Sequence, residues 1–72
     1  MLKRNFHPKI GQKVLIIKNI SEGLTPENFR NPQIIENFNK ISVSDVENGY
    51  VYSINLINIP YIFNEFDLKP LN

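Results

Sequence analysis

The spacing of apolar residues along this 72-residue chain changes twice, and each change marks an element boundary. After the turn signal at Gly11, residues 12–20 are rich in Val and Ile, which suit a pleated surface, and predict a strand of about seven residues. Val14 and Ile16 face one way, Leu15 and Ile17 the other. Both faces are therefore apolar, and the strand is expected to be covered on two sides. Residues 21–39 lose this pattern and predict an irregular arm. Within it, Thr25-Pro26-Glu27 and Asn31-Pro32-Gln33 each set a capping residue before a proline, the pattern that opens a helix. Both predict single helical turns, the second docking Ile34, Ile35 and Phe38 on the sheet as a lid over one end.

From Lys40 the period is two. Ile41 and Val43 alternate with Ser42 and Ser44 in a strand that reaches Asp45, Val46 and Glu47. Asn48-Gly49 then signals a hairpin, because both residues tolerate positive φ. The returning strand, residues 50–56, puts Tyr50, Tyr52, Ile54 and Leu56 on one face, expected to be core, and Val51, Ser53 and Asn55 on the other. Asn58 predicts a turn, residues 60–63 an edge strand opened by Pro60, and residues 64–66 a tight turn. Residues 67–71 predict a last short strand with Leu68 and Leu71 facing inward, held to an edge or a strand end by Pro70. The chain reads as all-β, with five short strands and a long arm between the first and the second.

Composition narrows the class. With 42% hydrophobic and 21% charged residues and a formal net charge of +1, the chain is globular. A domain this small buries only about 60% of its unfolded surface, and with no cysteine it depends on packing alone. Val14-Leu15-Ile16-Ile17 is the longest strictly apolar run, where a membrane span needs about 20 residues. The basic first residues are not followed by the apolar stretch of a signal peptide. A cytoplasmic protein without membrane association is expected. Eleven Asn, eleven Ile and six Lys against two Arg indicate an AT-rich genome. Residues 1–10 read as a basic tail and residues 11–72 as a single domain.

Five segments carry a family resemblance: Gly11-Gln12-Lys13-Val14, Asn31-Pro32-Gln33-Ile34-Ile35, residues 41–46, Gly49-Tyr50-Val51-Tyr52, and residues 61–71 with their Asp67-Leu68-Lys69-Pro70-Leu71 ending. Together they resemble small bacterial and phage SH3-like barrel proteins, in which an opening G-x-x-V strand precedes an arm and a D-L-x-P-L segment closes the barrel. The resemblance implies a five-stranded SH3-like barrel whose long arm contains short helical turns. An OB-like barrel is the alternative. Because such scaffolds serve varied partners, the resemblance implies a fold rather than an activity. With the size and the AT-rich bias, it implies a phage or mobile-element origin.

Catalytic chemistry finds little footing. His7 is the one histidine, so no imidazole cluster can hold a metal, and thiolate sites are excluded. No serine lies near His7 in sequence to form a nucleophile–base pair. Asp45/Glu47 and Glu65/Asp67 have the i, i+2 spacing that shares a strand face, and are expected to be solvated charges that blunt strand ends. Gly11, Gly23 and Gly49 are too far apart for a phosphate loop. No enzyme activity and no cofactor are expected.

Two features remain. Residues 1–20 carry Lys3, Arg4, Lys9, Lys13 and Lys18 without an acid, which gives +5, while the rest of the chain carries 3 − 7 = −4. The second is aromatic: Tyr50, Tyr52, Tyr61, Phe63 and Phe66 gather in the last third, with Phe63 and Phe66 expected inside. The function expected is a non-enzymatic module that binds another protein through the arm and the aromatics Phe29, Tyr50, Tyr52 and Tyr61. It would act as an accessory or inhibitory factor on a host protein. The alternative is a nucleic-acid-binding barrel using Lys3, Arg4, Lys9, Lys13 and Lys18. A second alternative is a structural homo-oligomer, paired along the edge at residues 60–63. Either a monomer or a weak homodimer is expected.

Overall fold

The computed structural model describes residues 6–44 and 47–71. Its elements are β1 (Lys13–Ile16), α1 (Pro26–Arg30), β2 (Gln33–Ser42), β3 (Tyr50–Leu56), β4 (Ile59–Asn64) and β5 (Leu68–Pro70), with 3-10 turns at Glu47–Gly49 and Glu65–Asp67. The five strands form one antiparallel sheet in the order β4-β3-β2-β1-β5. The fold is all-β, as the periodicity predicts, with the arm and its helical turn between β1 and β2. Consecutive strands are neighbours, apart from β5 returning beside β1. This is a meander rather than the Greek-key order of an OB-like barrel. The sheet is barrel-like without closing, so β4 and β5 remain its edges.

β2 joins the two halves. Gln33 and Ile34 pair with β1, while Ile35 to Ser42 pair with β3, and the register slips between Ile35 and Asn37. An extra residue of this kind bends a strand and increases its twist, so β2 turns from one half of the sheet to the other at Glu36. The concave side collects Val14, Ile16, Ile35, Ile54, Leu56, Phe63 and Leu68, with Leu24 of the arm laid over them.

Three expectations need correction. Asn31-Pro32 does not open a second helical turn. Asn31 caps the end of α1, its N–H bonding Glu27 C=O, and Ile34, Ile35 and Phe38 lie in β2. Pairing on both sides of β2 satisfies backbone groups that one isolated turn would leave open, and this outweighs the local capping signal. Second, β1 stops at Ile16 rather than Ile20. Ile17 N–H still donates to Asp67 C=O at 2.8 Å, but the chain opposite then turns away into Glu65–Asp67. As a result Leu15 is half-buried and Ile17 exposed, not covered on both sides. Third, β2 ends at Ser42, with Val43 N–H bonded to Gly49 C=O at 3.0 Å. The remainder of that predicted strand, Asp45 and Val46, lies outside the described residues.

The turn residues behave as their chemistry requires. Asn48 and Gly49 have φ of 63° and 74°, and Asn58, between β3 and β4, has φ of 64°. α1 opens on a capping box in which Asn28 N–H donates to Thr25 Oγ1 and Thr25 N–H to Asn28 Oδ1. Gln33 Nε2 donates to the carbonyls of Asn28 and Asn31, closing the other end of a helix too short to be stable alone.

Besides Leu24, the arm meets the sheet closely at Gly23. The Tyr61 ring of β4 lies against Gly23, so that a Cβ at residue 23 would fall within 2.7 Å of Tyr61 Cζ. Gly23→Ala is expected to cost about 2 kcal/mol, since a rigid ring must move to admit one methyl. Urea unfolding of Gly23→Ala, Tyr61→Leu and the double variant checks this. The double variant should recover most of the Gly23→Ala loss, and simple additivity would refute the contact.

Candidate functional site

The 3-10 turn after β4 organises the surface around it. Asn64 Oδ1 accepts Phe66 N–H at 2.8 Å, and Asp67 Oδ2 accepts Asn64 N–H at 3.0 Å, which winds the chain tightly between β4 and β5. The winding turns Glu65 inward, where it is fully buried, and its Oε1 accepts Tyr52 N–H at 3.0 Å. Tyr52 lies on β3 past the end of β4, so the carboxylate stands where the next carbonyl of β4 would be. Glu65 and Asp67 are thus structural acceptors and not solvated charges. Their i, i+2 spacing reflects a 3-10 turn instead of a strand face.

The Glu65 bond also fixes which way β4 presents its backbone. Tyr52 N–H points toward β4, and N–H direction alternates along a strand. Ile54 therefore bonds to its partner Phe63, and the backbone of Ile62 and Asn64 points to the free edge. Pro60 has no N–H, and that of Asn64 is held by Asp67. Ile62 alone among these three offers a donor to an incoming strand, so the edge at residues 60–63 is blunted against strand pairing.

An aromatic cluster covers the β2–β3 hairpin near its tip. Tyr52 is at its centre, buried, with Tyr50 edge-on at 5.4 Å, Phe38 at 5.5 Å and His7 at 6.2 Å between ring centroids. Lys40 Nζ lies 4.6 Å from the centroid of the Tyr50 ring. Tyr50 and Phe38 are half-buried and His7 is exposed. Of the aromatics named from sequence, Tyr50 and Tyr52 belong to this cluster, with Tyr52 as its floor rather than its surface. Phe29 and Tyr61 are half-buried against the core, Tyr61 on the arm at Gly23. Phe38 joins the cluster because β2 is a strand there, and His7 is brought to it from the segment before β1. Phe63 is core as expected, while Phe66 is half-buried.

The opposite, convex face of β2, β3 and β4 has a different character. The register puts Asn37, Asn39 and Ile41, then Val51, Ser53 and Asn55, then Ile62 and Asn64 on this side. None is charged, although 21% of the chain is. Ile62 is 65% exposed and Ile41 48%. Where β4 ends and β3 runs on, Ile20, Ile41, Val51 and Ile62 line an open hollow of about 420 Å³, with Ser53, Asn64 and the buried Asp67 beside them. The hollow is a shallow surface feature rather than a sequestered pocket.

The basic residues are partly brought together. Lys13 and Lys69 fall on the convex side of β1 and β5, diagonal to one another across the pair Leu15–Lys69, and both are exposed. Lys9 and Lys18 are exposed on the segments flanking β1. Lys3 and Arg4 lie outside the described residues. Among the described residues, no three His, Asp or Glu side chains converge as metal ligands, and no helix is long and apolar enough to cross a membrane. Neither a family model, nor a curated protein, nor a solved structure matches this chain.

Proposed function

We propose that the chain is a protein-binding module that takes its partner on the aromatic cluster of the β2–β3 hairpin, with Tyr50 as the anchor. The observation that supports this is the setting of Tyr50: half-buried, edge-on to Tyr52 at 5.4 Å and capped by Lys40 at 4.6 Å. Its ring is held by its neighbours, so docking against it costs little side-chain entropy, and its hydroxyl supplies a polar handle. Tyr at the centre of a surface patch is among the residue types that dominate binding energy. Phe38 widens the apolar contact, and His7 and Lys40 add polar groups at its rim. In this reading the module acts by occupancy, as an accessory or inhibitory factor, and the SH3-like resemblance describes its scaffold.

Tyr50→Ala is expected to weaken the partner at least tenfold, while Tyr50→Phe keeps most of the affinity. Affinity capture from extracts of the source cells, followed by titration of the captured protein, measures both. Unfolding midpoints of the two variants separate lost contact from lost fold. Partner binding that is indifferent to Tyr50→Ala in a folded variant would refute the site.

A further inference from the structure

We infer that the hollow beside the end of β4 takes the ammonium group of a partner protein's lysine, with Asp67 as its counter-charge. The stem of that lysine lies along Ile20, Ile41, Val51 and Ile62.

Asp67 carries the argument. It lines the hollow, is 7% exposed, and takes part in no ion pair among the described residues. Among those residues its carboxylate accepts one hydrogen bond, from Asn64 N–H to Oδ2 at 3.0 Å, which leaves Oδ1 without a partner. A carboxylate withdrawn from water is stabilised by a cation held close to it, far more than an exposed one is. The lining supplies no such cation, for it holds no Lys, Arg or His. Lys18 and Lys69, each two residues from the lining in sequence, are exposed. Nucleic acid and anionic lipid are disfavoured by the same carboxylate, which repels phosphate.

The free valence selects an ammonium over a guanidinium. With Oδ2 engaged by Asn64, the carboxylate presents one open oxygen, whereas the guanidinium fork is matched to two. An ammonium is a compact charge on a four-carbon stem. Ser53, in the same lining, offers it a hydroxyl oxygen as a further acceptor. The stem in turn covers aliphatic surface that Ile41 and Ile62 now give to water. Because the hollow of about 420 Å³ is open, a free amine in it stays wetted on one side. A lysine set in a protein surface is closed over by its surroundings, and water exclusion of that kind strengthens the ion pair. The contact does not rest on the Tyr50 cluster.

The test is an amide NMR titration of the whole chain with Nα-acetyl-lysine amide up to about 100 mM. Its dissociation constant should be on the order of 10 mM, since one side chain without its surrounding surface buries little. The shifts should saturate and centre on Ile41, Val51, Ser53, Ile62 and Asp67. The arginine analogue should bind about threefold more weakly, and the norleucine analogue, which keeps the stem and lacks the ammonium, about tenfold. Asp67→Asn keeps an oxygen for Asn64 N–H and should weaken the lysine ligand about tenfold, with the unfolding midpoint showing that the turn persists. Ile62→Ala removes an exposed wall of the hollow without touching the turn. It should weaken the ligand about threefold in a fully folded chain, which keeps the hollow testable if Asp67→Asn does not fold. A wild type without saturable shifts would overturn the inference, as would a lysine ligand that binds no better than either analogue. So would binding that survives Asp67→Asn in a folded variant, or shifts centred on Tyr50. None of these results depends on Tyr50→Ala, so the two surfaces stand or fall separately.

Discussion

Phe63→Ala is expected to remove about 4 kcal/mol of folding stability, the largest single loss in the molecule. Phe63 is the largest of the fully buried side chains and sits opposite Ile54 on the neighbouring strand, at the middle of the concave side. Truncation loses the transfer free energy of the ring and leaves a cavity between strands whose pairing prevents collapse. For a domain of this length the whole stability is about 0.05–0.15 kcal/mol per residue, so one such cavity consumes much or all of it. Urea unfolding checks the size of the effect, and Phe63→Leu should lose only about 1.5 kcal/mol because most of the volume stays. A loss below 1 kcal/mol for Phe63→Ala would mean that the ring is not the centre of the core.

Glu65→Ala should cost about 3 kcal/mol, for a different reason. The side chain is fully buried and its Oε1 accepts the Tyr52 N–H at 3.0 Å. Removal strands a buried backbone donor, which costs about 1–3 kcal/mol, and a cavity adds to it. Glu65→Gln retains both the volume and an acceptor, and is expected to lose only about 1 kcal/mol. Hydrogen exchange supplies the specific readout: in Glu65→Ala the Tyr52 amide should lose more protection than its neighbours Val51 and Ser53. Equal losses at all three would indicate general destabilisation and refute the Tyr52–Glu65 bond as the cause.

Much of the fold was legible because local chemistry and tertiary structure agree there. β3 falls on residues 50–56 as the alternation requires, with Tyr52, Ile54 and Leu56 buried. Asn48, Gly49 and Asn58 take the positive φ their residue types allow, and Thr25-Pro26 opens a helix. The readings failed where two local signals competed. At Asn31-Pro32 a capping pattern preceded a β-branched pair, and sheet pairing on both sides decided for a strand. Phe38 moved with it, and the aromatic cluster became visible only when β2 was placed beside β3. Glu65 and Asp67 were misread because spacing alone does not tell a strand face from a 3-10 turn.

What the sequence determined by itself is the class: an all-β chain, its hairpin, its turns and the inward face of β3, all set by residue types acting within a few positions of one another. What the tertiary structure alone decided is which surfaces exist. The outward positions of β2 and β3, the blunted edge of β4 and the buried Glu65 each depend on which strand lies opposite which, and at what register. Pairing register is fixed by contacts between residues far apart in the chain, and a shift of one position would exchange the two faces of every strand.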